Sequence, residues 1–137
     1  MKESQFVKLI KKNLIIYNWM RIETTTMAGF PDLIGVSPQL DTIFGEAKVV
    51  IGNKIKLSPH QISMGIKLWR DTGGSSYIIA IKEHAKPLRP DSVKLYETRI
   101  SLDLLENGVN EPPTAEGWHT ICRYLQAVHG SRPKKPK

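Results

Sequence analysis

Residues 29–50 read GFPDLIGVSPQLDTIFGEAKVV. Two apolar runs, at 32–37 and 42–50, flank SPQLD, so two short strands joined by a hairpin loop are expected here. Charges interrupt both runs: Asp32 opens the first, and Glu46 and Lys48 lie inside the second. Side chains alternate along a strand, so Glu46 and Lys48 share one face. Ile43, Gly45, Ala47 and Val49 take the other, which is small and apolar enough to receive a helix. Charges in such a strand are costly unless they are paired, bound to an ion or turned to solvent on an edge.

On the N-terminal side, Val7, Ile10, Leu14 and Tyr17 recur at helical spacing and predict a helix over 3–14. Glu3 lies four residues before Val7 and shares its inward face, while Lys8, Lys11 and Lys12 fall outside. The segment 15–25, IIYNWMRIETT, is β-branched and aromatic and predicts a strand; MAGFP follows as a turn. On the C-terminal side, IGNKIK is a basic loop, and Ser58, Pro59 and Gln61 spell a helix start with a capping box. Ile62, Ile66 and Trp69 form that helix's apolar stripe and Gly73 its stop. A further strand is expected over 75–83. The order is α-β-β-β-α-β, an α/β chain with a mixed sheet flanked by helices.

Beyond 84, HAKPLRPD is a loop, and SVKLYETRISLDLLENG fits a strand, a helix or one of each. Trp118, Ile121, Leu125 and Val128 predict a last helix ending at Gly130. This C-terminal helical extension either covers the core or forms a dimer contact. The expected organisation is one domain over 1–130, with a core at 1–83, an extension at 84–130 and a basic flexible tail at 131–137.

At 137 residues the chain is long enough to bury a core without staples, and its single cysteine, Cys122, excludes a disulfide framework or a cysteine-cluster zinc site. Cys122 is expected to serve as a small buried apolar residue. There is no membrane-length apolar run and MKESQF lacks a secretory pattern, so a cytoplasmic setting is expected, the host's if the source is viral. Twenty Lys plus Arg against thirteen Asp plus Glu leave a net charge of +7, which favours an anionic partner, nucleic acid first. The four histidines lack metal-ligand spacing, and no Walker loop or nucleophile elbow is present.

Asp32 and Glu46 gain meaning together. Antiparallel neighbours can bring both to one end of the sheet, where two carboxylates repel unless a cation lies between them. Hard oxygen ligands with room for water suit magnesium or manganese. Lys48 adds a positive charge beside that ion. These parts describe metal-assisted phosphodiester hydrolysis, with Lys48 positioning or activating the nucleophile or stabilising the transition state. Glu23 is a rival acid ranked below Glu3, and Asp41 is assigned to the hairpin loop.

Pro31-Asp32 and, after thirteen intervening residues, Glu46-Ala47-Lys48 resemble the signature of the PD-(D/E)XK nuclease superfamily. That pair of motifs alone arises by chance in roughly one chain of this size in a hundred. The surrounding GFPDLIGV, FGEAKVV, KLSPHQ and DTGGSSYIIAI resemble the VRR-NUC branch, over residues 1 to about 83. The resemblance implies a restriction-endonuclease-like core. It makes Asp32, Glu46 and the Ala47 carbonyl metal ligands for Mg²⁺ or Mn²⁺ and Lys48 the catalytic lysine. Gln61 matches the branch's helix glutamine, although its capping box alone accounts for it. Glu3 matches an acid on the first helix, a place that also suits the helix dipole.

Lys54 and Lys56 follow the catalytic strand, and with Lys8, Lys11 and Lys12 they are the expected phosphate contacts. No base-reading module is appended. The expected activity is a metal-dependent, structure-selective DNA endonuclease, and small stand-alone members of the branch resemble four-way (Holliday) junction resolvases that act as homodimers. Flaps are a second branched substrate. The alternative is a nucleic-acid-binding module that retains the fold without chemistry.

Overall fold

The computed structural model describes residues 1–23, 27–82 and 93–130. The loop expected at 84–91, the tail expected at 131–137 and the end of the strand expected over 15–25 lie outside them.

Helix α1 spans Glu3–Asn13 and leads into β1 (Asn18–Arg21), β2 (Leu33–Val36) and β3 (Ile43–Val50). Helix α2 (Pro59–Thr72) crosses to β4 (Ser76–Lys82). The extension adds β5 (Val93–Glu97), a 3-10 turn (Thr98–Ile100), α3 (Ser101–Asn107), a second 3-10 turn (Gly108–Asn110), β6 (Ala115–Glu116) and α4 (Trp118–His129). The region that fitted a strand or a helix therefore contains one of each. Among the described residues the strands form one six-stranded sheet in the order β1-β2-β3-β4-β5-β6. Only β3 and β4 pair in parallel, because α2 carries the chain back before β4 begins. Strands from both sides of position 83 share this sheet.

The sheet is covered on both faces. Phe6 and Ile10 of α1, Leu14 just after it, and Ile121 and Leu125 of α4 pack with Leu33, Ile43, Ala47, Tyr77, Ile79 and Leu95 on one side. Ile62 of α2 and Leu104 of α3 pack with Val50, Ile78, Ala80 and Tyr96 on the other. A strand buried on both faces reads as a continuous apolar run, which explains SYIIAI in β4.

Several local expectations shift. The strand expected over 15–25 shortens to Asn18–Arg21, because Leu14 N–H donates to Ile10 O at 2.8 Å and Trp19 Nε1–H donates to Leu14 O at 2.9 Å, using the intervening chain as a turn. Cys122 is only half-buried. Ile121 and Leu125 are fully buried, so α4 serves the core. Val128 is 42% exposed, and the last inward position of α4 belongs to His129 instead. His129 Nδ1 lies 3.1 Å from the Asp41 carboxylate and Nε2 lies 2.6 Å from the Tyr77 hydroxyl, so this buried ring ties α4 to the β2–β3 loop.

Candidate active site

The register of the β2–β3 hairpin builds the site. Leu33 pairs with Gly45 and Ile34 with Phe44. One step beyond the ladder's end, the same register sets Asp32 opposite Glu46. Asp32 N–H donates to Glu46 Oε2 at 3.1 Å, and Ala47 N–H donates to Asp32 Oδ1 at 3.2 Å. Each carboxylate is thus held by the backbone of the other's strand. Ala47 meets the Asp32 carboxylate through its N–H.

Glu3, on the first turn of α1, brings a third carboxylate to the same place. Glu3, Asp32 and Glu46 each offer an oxygen within 4.8 Å of the other two. Glu46 is 9% exposed. Burial raises its pKa, and the neighbouring Asp32 charge adds to the rise, to about 8. Burial also holds the Asp32 carboxyl above its ordinary range, against the lowering effect of the Ala47 N–H and the nearby Arg21 charge. Glu3 is raised by burial and by Asp32. All three acids resist ionisation together, as carboxylates crowded at one point must without a cation.

The second layer comes from α2. Gln61 Nε2–H donates to Glu46 Oε1 at 2.6 Å, and Gln61 Oε1 accepts from Lys48 Nζ at 3.1 Å. Lys48 Nζ stands 3.8 Å from Glu46 Oε1. Gln61 Oε1 also accepts from Ser58 N–H at 3.0 Å, and Ser58 Oγ accepts from Gln61 N–H at 3.1 Å. The capping box and the bridge to the acids are therefore made by one side chain. The helix start sits close because Gly29, at φ +79°, lies directly against the His60 carbonyl and the Gln61 nitrogen, where a Cβ would collide. The glycine of GFPD thus seats α2, and the aspartate of GFPD faces Glu46.

Of the remaining expected residues, Lys54 and Lys56 are exposed and line a cleft that begins at Lys48. Lys8, Lys11 and Lys12 are exposed on α1 and do not line it. Lys11 and Lys12 lie in the last turn of α1, at the opposite end from Glu3. Glu23 is exposed and outside the acid cluster, and His60 is exposed at the helix start. Arg21 was missed by the sequence reading. It ends β1 opposite Leu33 and its charge reaches both Asp32 and Glu3. The available signal was a cation at the end of a strand antiparallel to the one that Asp32 opens.

The donor set fits a hard divalent cation. Carboxylates present acceptor-only oxygens, and octahedral shells at ~2.1 Å need oxygen pairs about 3 to 4.2 Å apart, within a small side-chain adjustment of the cluster seen here. Burial is the main cause that raises all three acids, and a cation bound among them would favour their ionised forms.

The fold resembles that of Archaeoglobus fulgidus Hjc, a Holliday junction resolvase from an archaeal hyperthermophile, with a TM-score of 0.50 over 73% of this chain and 75% of that one. The two chains are 13% identical, so the likeness is one of fold. No family model matches the chain, and no curated protein matches it in sequence. The chain is thus a mixed α/β fold with a six-stranded sheet flanked by helices, similar in fold to Hjc, and it gathers three carboxylates at one end of the β2–β3 ladder. No helix among the described residues is long and apolar enough to cross a membrane.

Proposed function

We propose that this protein is a divalent-metal-dependent endodeoxyribonuclease acting on branched DNA, four-way junctions or flaps. The observation that carries the reading is the meeting of Asp32 and Glu46 across the end of the β2–β3 ladder, with Lys48 one strand period from Glu46 and joined to it through Gln61. The fold likeness to a Holliday junction resolvase, the PD and ExK motifs in a VRR-NUC-like setting and the net charge of +7 point the same way.

In this reading Asp32 and Glu46, with Glu3 and the Ala47 carbonyl as further ligands, hold Mg²⁺ or Mn²⁺. Held there, such an ion would supply charge neutralisation at the scissile phosphate and a lowered pKa for the attacking water. The chain's own residues do the rest. The backbone bonds to Asp32 and Glu46 fix the carboxylates before substrate arrives, so little reorganisation is required on binding. The Lys48 ammonium, pinned by Gln61, places a second positive charge where negative charge grows on the phosphoryl oxygens or the nucleophile. Lys54, Lys56 and the α1 lysines hold flanking phosphates without reading sequence. Residues 1–130 act as a single nuclease domain, and two copies in a homodimer would cut two strands of a junction.

The test is a panel of labelled duplex, fork, flap and four-way DNA incubated with Mg²⁺ or Mn²⁺. Cleavage of branched DNA, abolished by Asp32→Ala and Glu46→Ala with DNA binding retained, supports the reading. A wild type that binds these DNAs and cuts none of them would identify a binding module instead.

A further inference from the structure

Beside Lys48 the protein carries a cleft of about 800 Å³. One wall is the loop at 53–58 between β3 and α2; the other is the stretch at 105–110, from the end of α3 through the following 3-10 turn. The second wall belongs to the extension, for which the family resemblance offers no counterpart. It is seated on the first by backbone contact. Val109 N–H donates to Asn53 O at 2.9 Å. Gly108, at φ +60°, lies so close to the Asn53 carbonyl that any Cβ would collide with it. Lys82 Nζ holds the Asn53 side chain at 2.7 Å, and Lys94 Nζ reaches Val109 O at 3.4 Å. These contacts tie the two walls of the cleft together.

Its position and chemistry define its ligand. Lys48 and Gln61 belong both to its wall and to the acid site, so a strand whose phosphate lies on the acids continues into it. Lys54 and Lys56 supply ammonium groups for phosphates. Leu105, 48% exposed, presents an apolar surface in a wall that also carries the buried Ile55 and Leu57, and an unstacked base packs on apolar side chains of this kind. Glu106 is the single carboxylate among the lining residues. A space of this size matches pockets of ~300–1,000 Å³ that enclose one drug-sized molecule. A space of this volume suits one or two nucleotides.

We infer that this cleft holds one or two unpaired nucleotides directly flanking the scissile phosphate, so that the extension selects DNA with a single-stranded segment beside the cut. The inference rests on the nuclease reading above and narrows its substrate class.

The experiment compares a flap or fork with a continuous duplex of the same sequence around the cut. Wild type, Leu105→Glu and Glu106→Lys are assayed for cleavage in Mg²⁺. The same substitutions in an Asp32→Ala background are assayed for binding, with 2-aminopurine at each flanking position. Both residues are exposed, so melting temperatures should stay near wild type. Wild type is expected to cut the unpaired substrate at least tenfold faster than the duplex. Leu105→Glu should bring that ratio below threefold, and Glu106→Lys should tighten binding of the unpaired substrate severalfold. A ratio unmoved by either substitution in folded protein overturns the inference, as does a 2-aminopurine signal absent at unpaired positions or unchanged by Leu105→Glu. If Leu105→Glu does not fold, Glu106→Lys decides alone. Absence of metal-dependent cleavage on every substrate overturns the nuclease reading instead, and the binding arm still decides the cleft.

Discussion

Gln61 donates from Nε2 to Glu46 across 2.6 Å while its Oε1 takes both the Lys48 ammonium and the N–H that opens α2. One amide therefore closes a helix terminus and sets the spacing of an acid and a base. Replacing Gln61 with Ala should cost about 1 kcal/mol through the lost cap. It should lower cleavage by about 10- to 100-fold, the usual effect of losing a group that orients a metal ligand. Rates measured well below the melting temperature separate the two effects. Gln61→Glu can keep the cap but replaces the donor to Glu46 with a second carboxylate, so it should not recover activity, and it should be less stable at pH 8 than at pH 5.

The acids should oppose stability in the metal-free protein. The Glu46 pKa is raised in the fold, to about 8, so between its ordinary value and that one the folded state binds more protons than the unfolded state. Stability from this group is then full below about pH 4.5 and is lost as pH rises towards 8. Glu46→Gln should raise the melting temperature in EDTA at pH 8 and leave it near wild type at pH 5, while abolishing cleavage. A wild-type-minus-variant difference that is flat with pH would contradict the burial of this charge.

Metal should reverse that dependence. A cation that binds the native cluster and not the unfolded chain stabilises by mass action, about 2.7 kcal/mol at a hundred times its dissociation constant. Thermal melts with millimolar Mg²⁺ or Mn²⁺ should show a larger gain at pH 8 than at pH 5, where Glu46 is protonated. The gain should disappear in Asp32→Ala.

Gly29 tests how the GFPD turn serves the site. Gly29→Ala puts a methyl group into the backbone of His60 and Gln61 and forces a left-handed residue. The conformation alone costs about 1–2 kcal/mol, and relief of the collision must move the start of α2. Activity should fall further than stability explains, with the Gln61–Glu46 bond lost. A structure or amide spectrum of the variant with that bond intact would argue against this coupling.

His129 belongs to the fold and not to the chemistry. His129→Leu removes the imidazole that bonds the buried Tyr77 hydroxyl and the Asp41 carboxylate, at a cost of about 1–3 kcal/mol. Cleavage at a temperature where the variant is folded should match wild type, as measured by initial rates on the preferred DNA.

Much of the site was legible because its parts are local. A strand period of two puts Glu46 and Lys48 on one face, and a hairpin between 36 and 43 brings Asp32 back beside Glu46. A cap needs a side chain three residues into its helix, which identified Gln61. The misreadings also share a cause. Val128 and His129 differ by about 100° around α4, and periodicity alone did not anticipate that Tyr77 and Asp41 would satisfy a buried imidazole. Arg21 went unnoticed because its importance comes from facing the neighbour of Asp32 across a hairpin whose register the residues 24–26 between them do not spell out.

By itself the sequence settled what lies within one element or one tight turn: the periods, the caps and the pairing of charges along β3. Tertiary structure alone decided that the face bearing Glu46 is buried beneath α2, that Glu3 reaches the acids from the far end of the chain, and that the extension walls a cleft beside Lys48. Neighbouring dihedrals dictate the first group, whereas the second depends on which distant apolar surfaces find each other, and no local pattern encodes that choice.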